Sequence, residues 1–225
     1  MRSRTRSCDR QTLAAHLPDG VVGYTGVDRG DADALPAAER ALVVDAGELR
    51  RRQFAAGRVL ARQALYRIGH PLDALGRRDD GSPDWPDGVC GSLSHTAGLA
   101  LAVAGPRTHI ASIGVDIEPL TDFPAAAVRT VFTAAERARL CADDQRLASF
   151  SAKESVYKCL APLGAVDLDF LDVEVCWQTD RFDVRPATPG AIDPALITAV
   201  RGRRFTLGEG RYIATVAIIG PASAR

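Results

Sequence analysis

Apolar residues recur at helical spacing from residue 37 to about 68, which predicts a helix, broken near Gly47 and closed by Gly69 as a C-cap. Residues 76–88 are dense in Gly, Pro and Asp and read as a polar loop. The period then shortens to two. Residues 91–95 and 99–104 predict two strands joined at 96–98, residues 110–118 a third, and the short apolar run at 21–24 another. The second half repeats this order loosely, with helices at 133–141 and about 145–160 and strands near 171–178, 203–207 and 212–219; Pro186 to Pro194 is an exposed connection. Two helix-then-strands halves predict an α+β, pseudo-duplicated fold, each half a helix on a small, mainly antiparallel sheet, divided as 1–118 and 119–225. Identity between the halves is too low to make them a sequence repeat.

Two short acidic motifs stand out against this pattern, Gly114-Val115-Asp116-Ile117-Glu118 and Phe150-Ser151-Ala152-Lys153-Glu154-Ser155-Val156-Tyr157-Lys158. Side chains alternate along a strand, so Asp116 and Glu118 share one face while Val115 and Ile117 point to the core. In the helix, Ala148, Ala152, Ser155, Val156 and Cys159 form the buried face, Glu154 falls roughly opposite, and Lys158 lies one turn beyond Glu154. If the strand end meets the helix, three carboxylates surround one point. Hard oxygen donors of that kind suit Mg2+ completed by phosphate oxygens. Each motif alone is more often the pattern of a solvated surface.

Arg51, Arg58 and Arg62 share a helix face, with Arg50, Arg52 and the loop pair Arg77-Arg78 nearby, a basic stripe able to grip a phosphate or to remain solvated. Ser94-His95 invites comparison with a hydrolase triad, but neighbours on a strand face opposite ways and no Gly-x-Ser-x-Gly elbow is present, so a hydrogen-bonding role to a ligand is the better reading. Trp85 either stacks on a purine or plugs a core edge.

Composition narrows the field. At 46% hydrophobic residues in 225, the chain can bury a substantial core, and 28 basic against 28 acidic residues give no broad attraction to nucleic acid or membrane. Any anion site is therefore local. Cys8, Cys90, Cys141, Cys159 and Cys176 are odd in number and lack metal-site spacing, as expected of reduced thiols in a cytoplasmic protein. The basic N-terminus is not followed by an apolar run of signal-peptide length, and no stretch is long enough to span a bilayer.

Four segments then occur in order: RRRQFAAGRVLARQAL at 50–65, GSPDWPDGVCGSLSHTAG at 81–98, GVDIE at 114–118 and FSAKESVYK at 150–158. Together they resemble the Sfp-type 4'-phosphopantetheinyl transferases, in particular the branch associated with siderophore and polyketide carrier proteins. The resemblance implies Mg2+-dependent transfer of the 4'-phosphopantetheine arm of coenzyme A to a serine of an apo acyl or peptidyl carrier protein, with adenosine 3',5'-bisphosphate leaving. It assigns the metal to Asp116, Glu118 and Glu154, the general base to Glu154 directly or through water, and the pyrophosphate contact to Lys158. It assigns the 3'-phosphate and adenine to Arg50, Arg58, Arg77, Arg78, Ser94 and His95, with the choice among Arg50, Arg51 and Arg52 open by one position. Leu168 would line the pantetheine channel. The implied protein is a monomer with its site between the halves. Residues 120–144 resemble the family's carrier-contacting region, where Val128, Val131, Phe132 and Leu140 either meet the carrier or simply pack. A noncatalytic coenzyme A or carrier-binding relative, and a metal-dependent phosphohydrolase, are the alternatives; all three carboxylates being present argues against the first.

Overall fold

The computed structural model describes residues 13–27, 30–165, 167–190 and 192–221. Cys8 and the basic N-terminal run lie outside them. The chain forms two compact units, Met1–His109 and Ile110–Arg225. The division falls earlier than the expected 118/119, because the strand carrying the first acidic motif is hydrogen-bonded into the second unit's sheet.

In the first unit, β1 (Val22–Gly26) precedes helix α1 (Glu48–Arg67), which starts after Gly47 and is separate from a short helical turn at Ala37–Ala41. The expected break near Gly47 is thus present, and Gly69, at φ +83°, follows the helix end. Strands β2 (Val89–Thr96) and β3 (Leu99–Pro106) form a hairpin around Ala97-Gly98, and the antiparallel sheet has the order β1-β3-β2. Ala100, Ala102 and Ala104 of the central strand join Ala56, Leu60, Ala61, Ala64 and Leu65 of α1 in one core. Alanine on the sheet lets the helix lie close, and removal of this apolar surface from water drives the packing. Trp85 packs at the edge of this core, where it also blocks any side chain at position 91, so its core role is the observed one.

In the second unit, β4 (Ser112–Pro119) is followed by α2 (Ala134–Arg139), α3 (Asp143–Leu160), β5 (Val173–Gln178), β6 (Arg181–Pro186), β7 (Arg201–Leu207) and β8 (Tyr212–Ile219). The antiparallel sheet runs β4-β8-β7-β6-β5, with α3 packed against β4 and β8. Strand β6 was not expected, although Phe182 and Val184 alternate inward along it. A short helix, Pro194–Ala199, capped by the Asp193 side chain, was also missed. Each unit is a helix on an antiparallel sheet, the α+β arrangement read from the sequence. No described helix is long and apolar enough to cross a membrane.

Candidate active site

Strand register decides where the acidic side chains point. Asp116 pairs with Thr215, whose Oγ1 donates to the Ser151 carbonyl of α3 at 2.8 Å, so Asp116, and with it Glu118, lies on the helix-facing side of the sheet. Gly114 is on the same face. A methyl group there would strike the Ser155 carbonyl oxygen, so only glycine permits this approach of strand to helix. Ser112 adds a tie by donating from Oγ to the Cys159 carbonyl at 2.6 Å.

The approach lets Lys158 Nζ stand 2.7 Å from Asp116 Oδ1 and 3.9 Å from Glu154 Oε2. Asp116 is buried, whereas the Glu154 and Lys158 side chains retain 28% and 26% exposure, on the flank of α3 and not opposite its buried face. Burial above all, then the charges of Asp116 and Glu154, lift the Glu118 pKa to about 7, with Lys158 opposing. Glu154 is raised too, first by burial, with Lys158 opposing and Asp116 adding. Glu118 and Glu154 therefore both resist ionising where they stand.

Among the described residues, no three acidic, His or Cys side chains converge tightly enough to enclose an ion as they stand. The Lys158 ammonium lies against two of the carboxylates instead. The donor chemistry nonetheless fits a hard divalent cation: three carboxylates on a strand and a helix, two of them held from ionising chiefly by burial, with the Glu154 and Lys158 side chains partly exposed.

A second polar cluster is built within the first unit. His95 lies opposite Ala100 in the β2–β3 register, which puts it on the face that α1 covers, and Arg50 Nη1 is 2.7 Å from its Nε2. Arg58 is only 2% exposed. Its Nη2 donates to the Gly76 carbonyl at 3.1 Å and its guanidinium lies over the Phe54 ring, while Nε and Nη1 make no hydrogen bond among the described residues. Burial pulls its pKa down to about 10; Glu39 opposes, and Arg77, Arg62 and Arg50 add to the fall. A buried, partly unsatisfied guanidinium crowded by like charges is chemistry suited to an anion.

The expected basic set is thus partly assembled. Arg77, Arg62 and Arg50 all bear on the buried Arg58 guanidinium, and Arg50 also meets His95. Arg62 is engaged by the buried Glu39 carboxylate, which also accepts from the Leu75 N–H, and Arg51 and Arg52 pair with Asp33 and Glu48. Arg78 turns to Asp84 at 3.0 Å, and Ser94 lies on the sheet face opposite to His95. The one-face arginine stripe is dispersed by these separate ion pairs.

Beside Glu154 a cleft of about 450 Å3 is lined by Lys153, Tyr157, Leu168, Phe170 and Val173, together with Asp167 and Asp169. Leu168, picked out in the sequence, is therefore at the cleft. Val131, Phe132 and Leu140 are buried in a core cluster with Phe123 and Leu147, and Val128 packs against it, so packing accounts for these four. The sequence reading overlooked Lys153 and Glu136, a buried ion pair at 2.7 Å whose lysine belongs to the cleft lining. Thr133-Ala134-Ala135-Glu136 is a capping box, formed in the structure, and that signature was the available clue to Glu136.

Comparisons with known proteins bear on the chain as a whole. Residues 38–105 match the family model of the 4'-phosphopantetheinyl transferase N-terminal domain, and residues 112–217 that of the 4'-phosphopantetheinyl transferase superfamily. The chain is 35% identical to 4'-phosphopantetheinyl transferase Svp of Streptomyces mobaraensis, over 93% of this chain and 90% of the relative. It is 34% identical to 4'-phosphopantetheinyl transferase PptT of Mycobacterium tuberculosis, over 73% and 78%. Enterobactin synthase component D of Salmonella typhi is 36% identical over 52% of this chain and 50% of its own length.

Proposed function

This chain belongs to the 4'-phosphopantetheinyl transferase superfamily, and from that premise we propose that it moves the phosphopantetheine arm of coenzyme A to a serine of an apo carrier protein. The serine oxygen attacks the phosphorus that bears the pantetheine arm; the bond from that phosphorus to the bridging pyrophosphate oxygen breaks, and adenosine 3',5'-bisphosphate leaves. Such a reaction asks the protein chiefly to position reactants and to offset charge. The observation that supports this reading most is the meeting of Asp116, Glu118, Glu154 and Lys158 under one helix flank, beside an open cleft.

Asp116, Glu118 and Glu154 would hold Mg2+, which when bound supplies charge stabilisation to the pyrophosphate oxygens. Lys158, within reach of both Asp116 and Glu154, would contact the same oxygens. Glu154, its pKa lifted by burial, is the group to accept the serine proton, directly or through a water. Arg50, Arg58, Arg77 and His95 would take the 3'-phosphate of coenzyme A through charge-assisted hydrogen bonds. Leu168 and Phe170 would face the pantetheine arm. The test is mass spectrometry of apo acyl and peptidyl carrier proteins after incubation with coenzyme A, with and without Mg2+. A mass gain of one phosphopantetheine only with metal is expected; no gain on any carrier would overturn the reading.

A further inference from the structure

Lys153 and Glu154 are adjacent in sequence and both belong to the cleft lining, yet the Lys153 side chain is buried beneath its wall whereas Glu154 stays partly exposed. Lys153 Nζ donates to the carbonyl oxygens of Val131 at 3.0 Å, Phe170 at 2.5 Å and Val173 at 2.8 Å, and pairs with Glu136 Oε2 at 2.7 Å. Both side chains are buried, at 0% and 1% exposure. An ammonium has three N–H groups, and here four acceptors share them, so no donor remains for a phosphate oxygen. Glu136 is likewise occupied: Oε1 accepts the Val175 N–H at 2.9 Å and Oε2 the Thr133 N–H at 3.0 Å. A satisfied buried pair of this kind contributes little net stability over apolar packing, and its attested use is to specify one geometry.

The geometry specified here is that of the cleft wall. Phe170 and Val173, whose carbonyls Lys153 holds, both line the cleft beside Glu154. Phe150, one helical turn before Lys153, adds a ring contact to Phe170 at 5.7 Å between centroids. Because Lys153 is pinned on one side of α3, the rotation of the helix is set, and with it the direction in which Glu154 and Lys158 project.

We propose that Lys153 is a positioning residue for phosphopantetheine transfer: it fastens the Phe170–Val173 wall to α3 and holds Glu154 in its working direction, without touching substrate. The proposal rests on the transferase reading above. Its test uses the full-length Lys153→Met variant and the Lys153→Met/Glu136→Gln double variant, which leaves no orphaned buried carboxylate and so protects the fold. Amide hydrogen exchange over residues 167–173, and kcat and KM for coenzyme A with an apo carrier, are measured on each. In the double variant, exchange of the wall should accelerate at least about tenfold, while kcat falls by about ten- to a hundredfold with KM for coenzyme A nearly unchanged, as expected of a misplacement near 1 Å. Wild-type kcat in a folded double variant would overturn the positioning role, as would unchanged exchange over 167–173. A large rise in KM at constant kcat would instead make Lys153 a substrate ligand, also overturning it. Absence of transfer by the wild type, with the wall loosened in the variants, would overturn the transferase reading while leaving the anchoring of the wall standing.

Discussion

Lys158 holds Asp116 across the gap between helix and strand, its Nζ 2.7 Å from Oδ1, and Gly114 makes that distance possible by bringing β4 up against the backbone of α3. One residue without a side chain therefore governs the spacing of the acidic cluster.

Replacing it tests that dependence. Gly114→Ala would put a methyl group into the Ser155 carbonyl and against the Cys159 backbone nitrogen, and backbone cannot step aside as a flexible side chain can. Destabilisation of at least about 1–3 kcal/mol is expected, read as a lower urea midpoint, with transfer falling further than stability because Asp116 is displaced from Glu154.

Charge removal at the acidic cluster should act on chemistry and spare the fold. Asp116→Asn and Glu154→Gln keep the shape of each side chain, so circular dichroism should match the wild type while transfer to an apo carrier drops by about a hundredfold or more. Near-native turnover in either variant would remove that residue from the catalytic set.

Acidity offers an independent check on metal-free protein. Glu118 titrates at about 7 in the folded chain against an ordinary value of 4.5, so between these limits the folded state holds more protons than the unfolded one. Its contribution to stability is present below the lower value and lost as pH rises through the upper. The Tm of the wild type should thus fall more between pH 5 and pH 8 than that of Glu118→Gln. Parallel Tm curves for the two proteins would contradict the shift.

The first unit is tested by one phosphate. Arg50→Gln and Arg58→Gln should weaken coenzyme A by about tenfold or more, the loss of one charge-assisted hydrogen bond, and leave 3'-dephospho-coenzyme A nearly unaffected. Calorimetric titration of both ligands decides it; equal losses would place these arginines elsewhere on the ligand. Charge reversal at Arg58 is unsuitable, because a glutamate at this buried position would disturb the unit itself.

How far this was legible in the sequence differs between elements. The buried face of α3 and the shared face of Asp116 and Glu118 follow from local periodicity, and both stand in the structure. Strand β6 was hidden by its charged outward residues, Arg181, Asp183 and Arg185, though Phe182 and Val184 carry the inward alternation. The arginine stripe misled because helical spacing reports direction and not partners: Glu39, far away in sequence, claims Arg62, and Asp33 claims Arg51. Lys153 was unreadable for the same reason. A lysine on a helix is nearly always solvated, and only the tertiary arrangement of Val131, Phe170, Val173 and Glu136 creates a buried place for its charge.

The unsatisfied guanidinium of Arg58 has a further consequence. Its Nε and Nη1 are shut away from water without hydrogen bonds among the described residues, so the first unit carries a desolvation debt within its own interior. An anion that settles it binds the folded chain and not the unfolded one, and mass action then couples occupancy to survival of the fold. Cellular supply of that anion would accordingly set not only how fast the protein works but how much of it persists.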